Sequence, residues 1–335
     1  MLNKKFFSSV AATLIFMFML SGYAFAAVEK RVVRIAHSQP EDHPQHIALL
    51  AMEKYIEGHL GDKYDVQIFP NDALGIQTET IELTRTGNID MVIVSAAIME
   101  DINGIYKLFS IPYLFSSEKA YVATMQDTNL MKDIYTATDE IGIRVLTWYT
   151  AGQRSFYAKK PIRTPDDMKG LMIRVQQSPT GMAMVKALGA YPIPIAFSEI
   201  YDVAKLGTLD GAENNEVTLT VNKHGEVFKY YSYDSHQMIP DLLFVNLRFL
   251  ESLPPEDLEI FQDAARLSTE LELEVWKIQM SESKRIATEN MHVEFIEVDS
   301  NLFKAKMANL RKKIFSDNPE VKKYYDHIQA VKNNS

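Results

Sequence analysis

Hydrophobic and polar positions follow two different periods along the first third of the chain. Positions 64–69 alternate with period two and 89–94 is a nearly continuous apolar run, so both are predicted strands, and 31–37 is predicted as a strand before them. Apolar residues recur at helical spacing after Pro44, and a polar helix is predicted to end at Gly87. This β-α-β-α-β order predicts a parallel sheet covered by helices, hence an α/β fold.

The pattern continues with helices around 118–124 and 129–136 and then a strand at 143–149. A second α/β unit follows. Its predicted strands are 154–158, 171–175 and a short extended segment at 192–196, and its predicted helices are a short one after Thr164 and two that begin near Ser178 and Ser198.

A long helix is predicted after Pro255, because no glycine or proline occurs from there to Met291 and apolar residues recur at helical spacing. Such a helix would be roughly 50 Å long, at 1.5 Å per residue. This length exceeds one small domain, so we expect the helix to lie across two lobes or to bend at their junction. A strand at 292–297 and helices near 302–315 and 319–331 follow.

Residues 1–26 have the three parts of a secretory signal peptide. Lys4 and Lys5 are basic, Val10 to Leu20 is apolar, and Ala24-Phe25-Ala26 matches a cleavage site. The apolar run is too short to span a bilayer comfortably. We therefore expect a secreted, periplasmic protein, and the absence of cysteine excludes disulfides and a lipid-modified cysteine.

The charge balance argues against nucleic acid as a partner. The formal net charge is −9, and loss of Lys4 and Lys5 with the signal peptide would make it more negative. The length suggests two domains. The sequence contains none of the common nucleophile, zinc-protease, phosphate-loop or dinucleotide motifs, so it predicts no cofactor and no recognisable catalytic centre.

Arg174 is the most informative single residue, because it lies in the apolar strand Leu171 to Val175. A guanidinium cannot lose its charge in a protein, so a buried one needs an anionic partner. One interpretation is an internal salt bridge with one of the many acids of the chain. The other is a bidentate clamp for a ligand carboxylate.

The histidines at 37, 43 and 46 raise the separate hypothesis of a metal site, since first-row cations favour imidazole ligands. A closed site needs three or four ligands, and no cysteine can contribute. His43-Pro44 is also expected to begin a helix, where a polar side chain commonly caps the first turn.

Four segments together resemble a known family. They are Gly152 to Tyr157, Met168 to Val175, Ala196 to Tyr201 and Asp210 to Asn215. In this order, after a signal peptide and a Leu74-Gly75 turn, they resemble the solute-binding proteins of tripartite ATP-independent periplasmic (TRAP) transporters, the DctP family.

The resemblance implies a two-lobed periplasmic binding protein of the type II-like class, with a cleft between the lobes and a long helix spanning both. Lobe I would comprise 27–151 and 240–279, and lobe II 152–239 and 280–331. The protein would capture an organic acid and deliver it to the small and large permease subunits in the membrane.

The resemblance also implies a set of site residues. Arg174 would form the bidentate pair with the ligand carboxylate, Arg154 would be a second contact, and Asn214 would donate to the same group. Glu213 and His236 would link the cleft to the hinge. Placement alone adds four further cleft residues, which are His37, Gln77, Ser95 and Phe197.

Two ligand classes remain open. Glu213-Asn214-Asn215 is most similar to the branch of the family that binds uronates, but Glu216-Val217 and Gln77-Thr78 depart from that branch. At Gln77 an acid that would accept from sugar hydroxyls is missing, so a C4-dicarboxylate or another small acid is the other candidate. The alternatives outside the family are a periplasmic enzyme using His236 with Glu213, and the metal-binding protein considered above.

Overall fold

A computed structural model describes residues 29–332, so the predicted signal peptide lies outside the described residues. The predicted α/β class is confirmed, because two separate sheets form, each covered by helices on both faces. The three-strand unit at the start of the chain is also confirmed, with its strands parallel as predicted.

Lobe I is built on a five-stranded sheet with strand order β2-β1-β3-β10-β4. Its strands are β1 (Arg31–Ala36), β2 (Tyr64–Phe69), β3 (Met91–Ser95), β4 (Ile143–Tyr149) and β10 (Asp241–Asn246). Its helices are α1 (Pro44–Leu60), α2 (Gln77–Thr86), α3 (Glu118–Met125), α4 (Thr128–Thr136) and α9 (Leu247–Glu251), with 3₁₀ turns at Ile98–Asp101, Gly104–Leu108 and Asp139–Ile141. The late strand β10 lies between β3 and β4 and is antiparallel to both.

Lobe II is built on a six-stranded sheet with strand order β11-β9-β5-β8-β6-β7. Its strands are β5 (Arg154–Ala158), β6 (Met172–Val175), β7 (Tyr191–Pro194), β8 (Gly211–Asn214), β9 (Tyr230–Gln237) and β11 (Glu294–Glu297). Its helices are α5 (Pro179–Ala187), α6 (Ile200–Lys205), α7 (Val217–Val221), α8 (His224–Val227) and α11 (Ser300–Lys306), with 3₁₀ turns at Pro165–Met168 and Phe197–Glu199.

The predicted long helix forms as α10 (Pro255–Glu289), which has 35 residues. Phe261 and Ala264 near its start belong to a core of lobe I, whereas Ala287 near its end belongs to a core of lobe II. The helix therefore spans both lobes. No helix in residues 29–332 combines the length and the apolar character that crossing a membrane requires.

The end of the chain departs from the predicted division, which placed 280–331 in lobe II. Helix α12 (Ala308–Asp317) leads the chain back, and α13 (Pro319–Lys332) packs on lobe I. Val321 and Ile328 of α13 are buried in a lobe I core, and the Tyr324 hydroxyl donates to Asp133 at 2.7 Å. Phe303 and Met307, just before α12, belong to a lobe II core, so the chain crosses from lobe II to lobe I between these residues and α13.

Candidate functional site

A cavity lies between the two lobes and contains about 620 Å³ of space not filled by atoms, part of it open to solvent. Lobe I contributes mainly the loop after β1, the start of α1, the start of α2 and the first residue of β10, and lobe II contributes residues from β5, β6, β8 and the loop after β7.

Arg174 on β6 lies in this cavity and is 97% buried. Its Nε and Nη2 donate to the Ile195 carbonyl oxygen at 3.2 and 2.9 Å, and its Cζ lies 5.8 Å from the centre of the Phe197 ring. Its Nη1 has no hydrogen-bond partner, and no carboxylate of residues 29–332 forms an ion pair with Arg174. The internal salt bridge, one of the two interpretations of this residue, is thus not formed here.

Arg154 on β5 has the opposite environment, because its charge is already neutralised inside lobe II. Its Nε and Nη2 form a two-point pair with the Glu213 carboxylate at 2.7 and 2.9 Å, and its Nη1 donates to the Asn214 side-chain oxygen at 2.9 Å. Arg154 also lines the cavity. Glu213 and Asn214 therefore hold its guanidinium plane in place before any ligand arrives.

Glu213, the partner of Arg154, also contacts a buried histidine, His236. The His236 imidazole lies 3.4 Å from Glu213 and 2.9 Å from Asp234, and all four side chains are buried. Glu213 and His236 do not line the cavity. This arrangement disfavours the hypothesis that they act as base and orienter in an enzyme, because neither can touch a bound molecule.

Burial and pairing set the pKa values in this region. Burial alone raises the pKa of Glu213, but Arg154 and His236 outweigh it and lower the pKa to about 2. Burial alone lowers the pKa of His236, but Asp234 and Glu213 raise it to about 9. Burial lowers the pKa of Arg174 to about 10. At neutral pH the Glu213 carboxylate, the His236 imidazolium and both guanidinium groups are therefore charged.

Three more of the predicted cleft residues line the cavity, namely Asn214, Gln77 and Phe197. The Asn214 oxygen accepts from Arg154 and from Asn215, so the amide nitrogen is the part of this side chain left to donate to a ligand. The Gln77 oxygen accepts from the Ser95 backbone N–H at 2.9 Å.

His37 and Ser95 were expected in the cleft but do not line the cavity. The His37 Nε2 lies 3.0 Å from the His46 Nδ1, and the His37 Nδ1 accepts from the Gln39 N–H at 3.2 Å, so both ring nitrogens are engaged within lobe I. Ser95 is covered by the side chain of Gln77. Ser38 and Gln39, which directly follow His37, line the cavity instead.

The three histidines of lobe I do not form the hypothesised metal site. Within residues 29–332 no group of three or more His, Cys, Asp or Glu side chains has an arrangement that could hold a metal ion. His37 and His46 share a hydrogen bond, and the His43 Nδ1 caps α1 by accepting from the Gln45 N–H. Burial lowers the pKa of His37 and His43 to about 3, so both are neutral.

Sequence reasoning missed several lining residues of lobe I, above all Asp72 and Asp241. Asp241 is the first residue of β10 and lies beside Ser95 of β3. The Gln45 amide donates to its Oδ2 at 2.5 Å. Asp241 could have been noticed in the sequence as an acid directly before the apolar run Leu242 to Val245. This run belongs to a strand that was not predicted.

One contact joins the lobes beside the cavity. Glu100 follows Ile98, a cavity residue of lobe I, and its carboxylate accepts from lobe II at the N-terminus of α5. The Ser178 hydroxyl donates at 2.6 Å, and the Thr180 hydroxyl and N–H donate at 2.7 and 3.1 Å. The exposed N–H groups and the dipole of this helix favour a carboxylate at its N-terminus, so these bonds link Glu100 of lobe I to lobe II.

Comparison with known proteins gives one matching family model, described as bacterial extracellular solute-binding protein, family 7, over residues 35–318. A relative from Salmonella typhimurium, the uncharacterized protein YiiZ, is 35% identical over 316 residues, which is 94% of this chain and 96% of that protein.

Two solved structures are similar along nearly their whole length. A TRAP periplasmic solute-binding protein from Anaerococcus prevotii with bound D-glucuronate is 44% identical, with a TM-score of 0.90, covering 91% of this chain and 99% of that one. A second, from Sulfitobacter with bound β-D-galacturonate, is 31% identical, with a TM-score of 0.85, covering 88% and 98%.

Proposed function

The chain belongs to the bacterial extracellular solute-binding proteins of family 7, the substrate-binding subunits of TRAP transporters, and we propose that this member carries a uronate or a closely related sugar acid. The family consists of binding proteins for transport and not of enzymes. Two relatives crystallised with D-glucuronate and β-D-galacturonate support the ligand class.

The observation that carries this proposal is the environment of Arg174. A permanently charged group that is 97% buried, with one nitrogen unpartnered, leaves a large desolvation cost uncompensated. A ligand carboxylate would offset this cost by forming an ion pair with Arg174 and accepting hydrogen bonds at the free Nη1 edge of its guanidinium. The fork of Arg174 is already fixed by the Ile195 carbonyl, so little side-chain entropy would be lost on binding.

Arg154 and Asn214 would then be supporting contacts. The Nε and Nη2 of Arg154 already donate to Glu213, so Arg154 cannot use this pair of nitrogens for a ligand. The Asn214 amide nitrogen remains available at the cavity. In this assignment Arg174 supplies the strong charge pair and Asn214 supplies one neutral hydrogen bond. Phe197 and Gln77 would complete the wall around the ligand.

Membrane permease partners follow from membership of the family. We further propose that they are one small and one large subunit, to which the closed protein delivers its ligand. Secretion by the signal peptide at 1–26 would place the protein in the periplasm, in agreement with the extracellular role of the family.

Thermal denaturation in the presence of candidate acids tests the ligand class. D-glucuronate and D-galacturonate are expected to raise the melting temperature by several degrees at 100 times Kd, because a ligand at that excess contributes about 2.7 kcal/mol to the folded state. Succinate and L-malate at the same concentration are expected to give little or no shift. A shift with succinate and none with either uronate would contradict the proposal and would favour the C4-dicarboxylate class.

Replacing Glu100 by glutamine is expected to weaken D-glucuronate binding by roughly tenfold to a hundredfold, mainly through faster dissociation. The carboxylate is solvated when the lobes separate, so its charged hydrogen bonds to Ser178 and Thr180 favour the closed state alone, at about 1.5–3 kcal/mol. Stopped-flow binding measures both rates. The adjacent exposed Asp101→Asn variant is the matched control, and equal dissociation rates for the two variants would refute a closing role for Glu100.

A further inference from the structure

The two walls of the cavity carry opposite charge. Both lining cations, Arg154 and Arg174, belong to lobe II, and both lining carboxylates, Asp72 and Asp241, belong to lobe I. The lobe I wall described by the structure is otherwise neutral. Its polar lining residues are Ser38, Gln39, His43, Gln45 and Gln77. A molecule that places a carboxylate against lobe II must therefore present its other end to a wall that has acids and hydrogen-bonding groups but no cation.

Asp241 is the better placed of the two acids. It lies at the head of β10, the strand between β3 and β4, so the sheet fixes its backbone on both sides. The Gln45 amide donates to its Oδ2 at 2.5 Å, and the hydroxyl of the neighbouring Ser95 lies close enough to lower its pKa. Asp72 lies instead in the loop between β2 and α2, with φ of 55°. Asp241 is thus a positioned acceptor in the cavity wall.

The charge on Asp241 is retained at neutral pH. Burial raises its pKa to about 6, against the opposing effects of the Gln45 hydrogen bond and the Arg154 charge. His43, which also lines the cavity, is neutral because burial lowers its pKa to about 3. The negative charge is therefore not compensated by a cation from its own lobe.

We propose that Asp241, positioned by Gln45, determines specificity at the far end of the ligand by accepting a hydrogen bond from a sugar hydroxyl and by repelling a second carboxylate. The inference rests on the proposed function, since it assumes that Arg174 holds the first carboxylate. It provides, from strand β10, the acid that the sequence lacks at Gln77 on helix α2. It also identifies the ligand as a polyhydroxy monoacid and disfavours dicarboxylates of the same length.

This specificity has both an attractive and a repulsive part. A hydroxyl that donates to a carboxylate forms a charge-assisted bond, stronger than one between neutral groups. Two carboxylates brought together in a closed, poorly hydrated site repel each other, and such like-charge contacts discriminate strongly between ligands.

L-gulonate and D-glucarate form a matched pair of probes, because they share one carbon chain and its stereochemistry and differ only in whether the far end is a primary alcohol or a carboxylate. Calorimetry at pH 7.5 is expected to give wild-type protein a preference of about a hundredfold or more for L-gulonate. Asp241→Asn keeps an oxygen for Gln45 but removes the charge. It is expected to weaken L-gulonate and to strengthen D-glucarate, reducing the preference at least tenfold.

These measurements distinguish failure of the Asp241 inference from failure of the proposed sugar-acid binding. Wild-type protein that binds D-glucarate as tightly as L-gulonate would overturn the inference about Asp241 and leave sugar-acid binding intact. An unchanged preference in Asp241→Asn, or a larger reduction in Asp72→Asn, would also overturn it. Binding of neither probe, nor of D-glucuronate, would refute both proposals. Melting temperatures of both variants distinguish a change in recognition from a failure to fold.

Discussion

Replacing Arg174 by alanine is expected to weaken D-glucuronate binding by about 2–5 kcal/mol, roughly thirtyfold to several thousandfold. The residue is the buried cation of the cavity without an internal anionic partner in the described part of the chain, so a ligand carboxylate would lose its strongest contact. Arg174→Lys is expected to weaken binding as well, because an ammonium group cannot form two parallel hydrogen bonds. Isothermal titration calorimetry measures both effects.

A different substitution at the same position gives a second, independent result. Arg174 is desolvated without a compensating charge, so Arg174→Met is expected not to lower the melting temperature of the ligand-free protein. Loss of a structural salt bridge would lower it instead. The exposed Arg163, on the same lobe and paired with Glu294 at the surface, provides the control, and Arg163→Ala is expected to leave affinity unchanged. Wild-type affinity in Arg174→Ala would refute the clamp.

Replacing Glu213 by glutamine is expected to reduce the free energy of unfolding by about 3–5 kcal/mol. The amide leaves two buried cations, Arg154 and His236, without the carboxylate that both of them contact. Chemical denaturation measures the loss. A double variant, Arg154→Met with Glu213→Leu, is expected to recover part of it, because it removes the buried Arg154 charge and His236 keeps Asp234 as its partner.

The decrease in the free energy of unfolding caused by Glu213→Gln is expected to depend on pH. The raised pKa of His236 means that its contribution is complete below about pH 6.5 and disappears as pH rises through about 9. The lowered pKa of Glu213 means that its contribution is complete above about pH 4.5 and disappears as pH falls through about 2. The difference in unfolding free energy between wild type and Glu213→Gln is therefore expected to be largest between about pH 4.5 and 6.5. A difference independent of pH would contradict the charge network.

Local patterns predicted the elements that are complete within a short stretch of chain. The alternation in 64–69, the apolar run at 89–94 and the absence of breakers after Pro255 each reflect a property of one strand or helix, and all of these elements form. The strand at 241–246 was missed, although its apolar run was visible, because its partners β3 and β4 lie far away in sequence.

The chemistry of a single segment singled out only Arg174, whereas Arg154 and Asn214 followed from the family resemblance and Gln77 and Phe197 from their placement in the predicted fold. A permanently charged side chain in an apolar strand identified Arg174 from one segment. Asp241, Gln45 and Glu100 are ordinary polar residues in sequence, and their roles depend on which residues the two lobes bring opposite them. His37 and Ser95 show the converse error, since a strand end is a good general location for a ligand contact but does not fix where a side chain points.

The return of the chain to lobe I through α12 and α13 has a mechanical consequence. The segments 150–153 and 238–240, the helix α10 and the helix α12 all join the same two bodies. Because four connections cross between the lobes at separate points, we expect sliding and twisting of the lobes to be restricted and rotation about one axis to be the easiest motion. With this restriction the two lobes are expected to reach the same relative orientation each time they close. The two cavity walls would then contact each new ligand molecule in the same geometry.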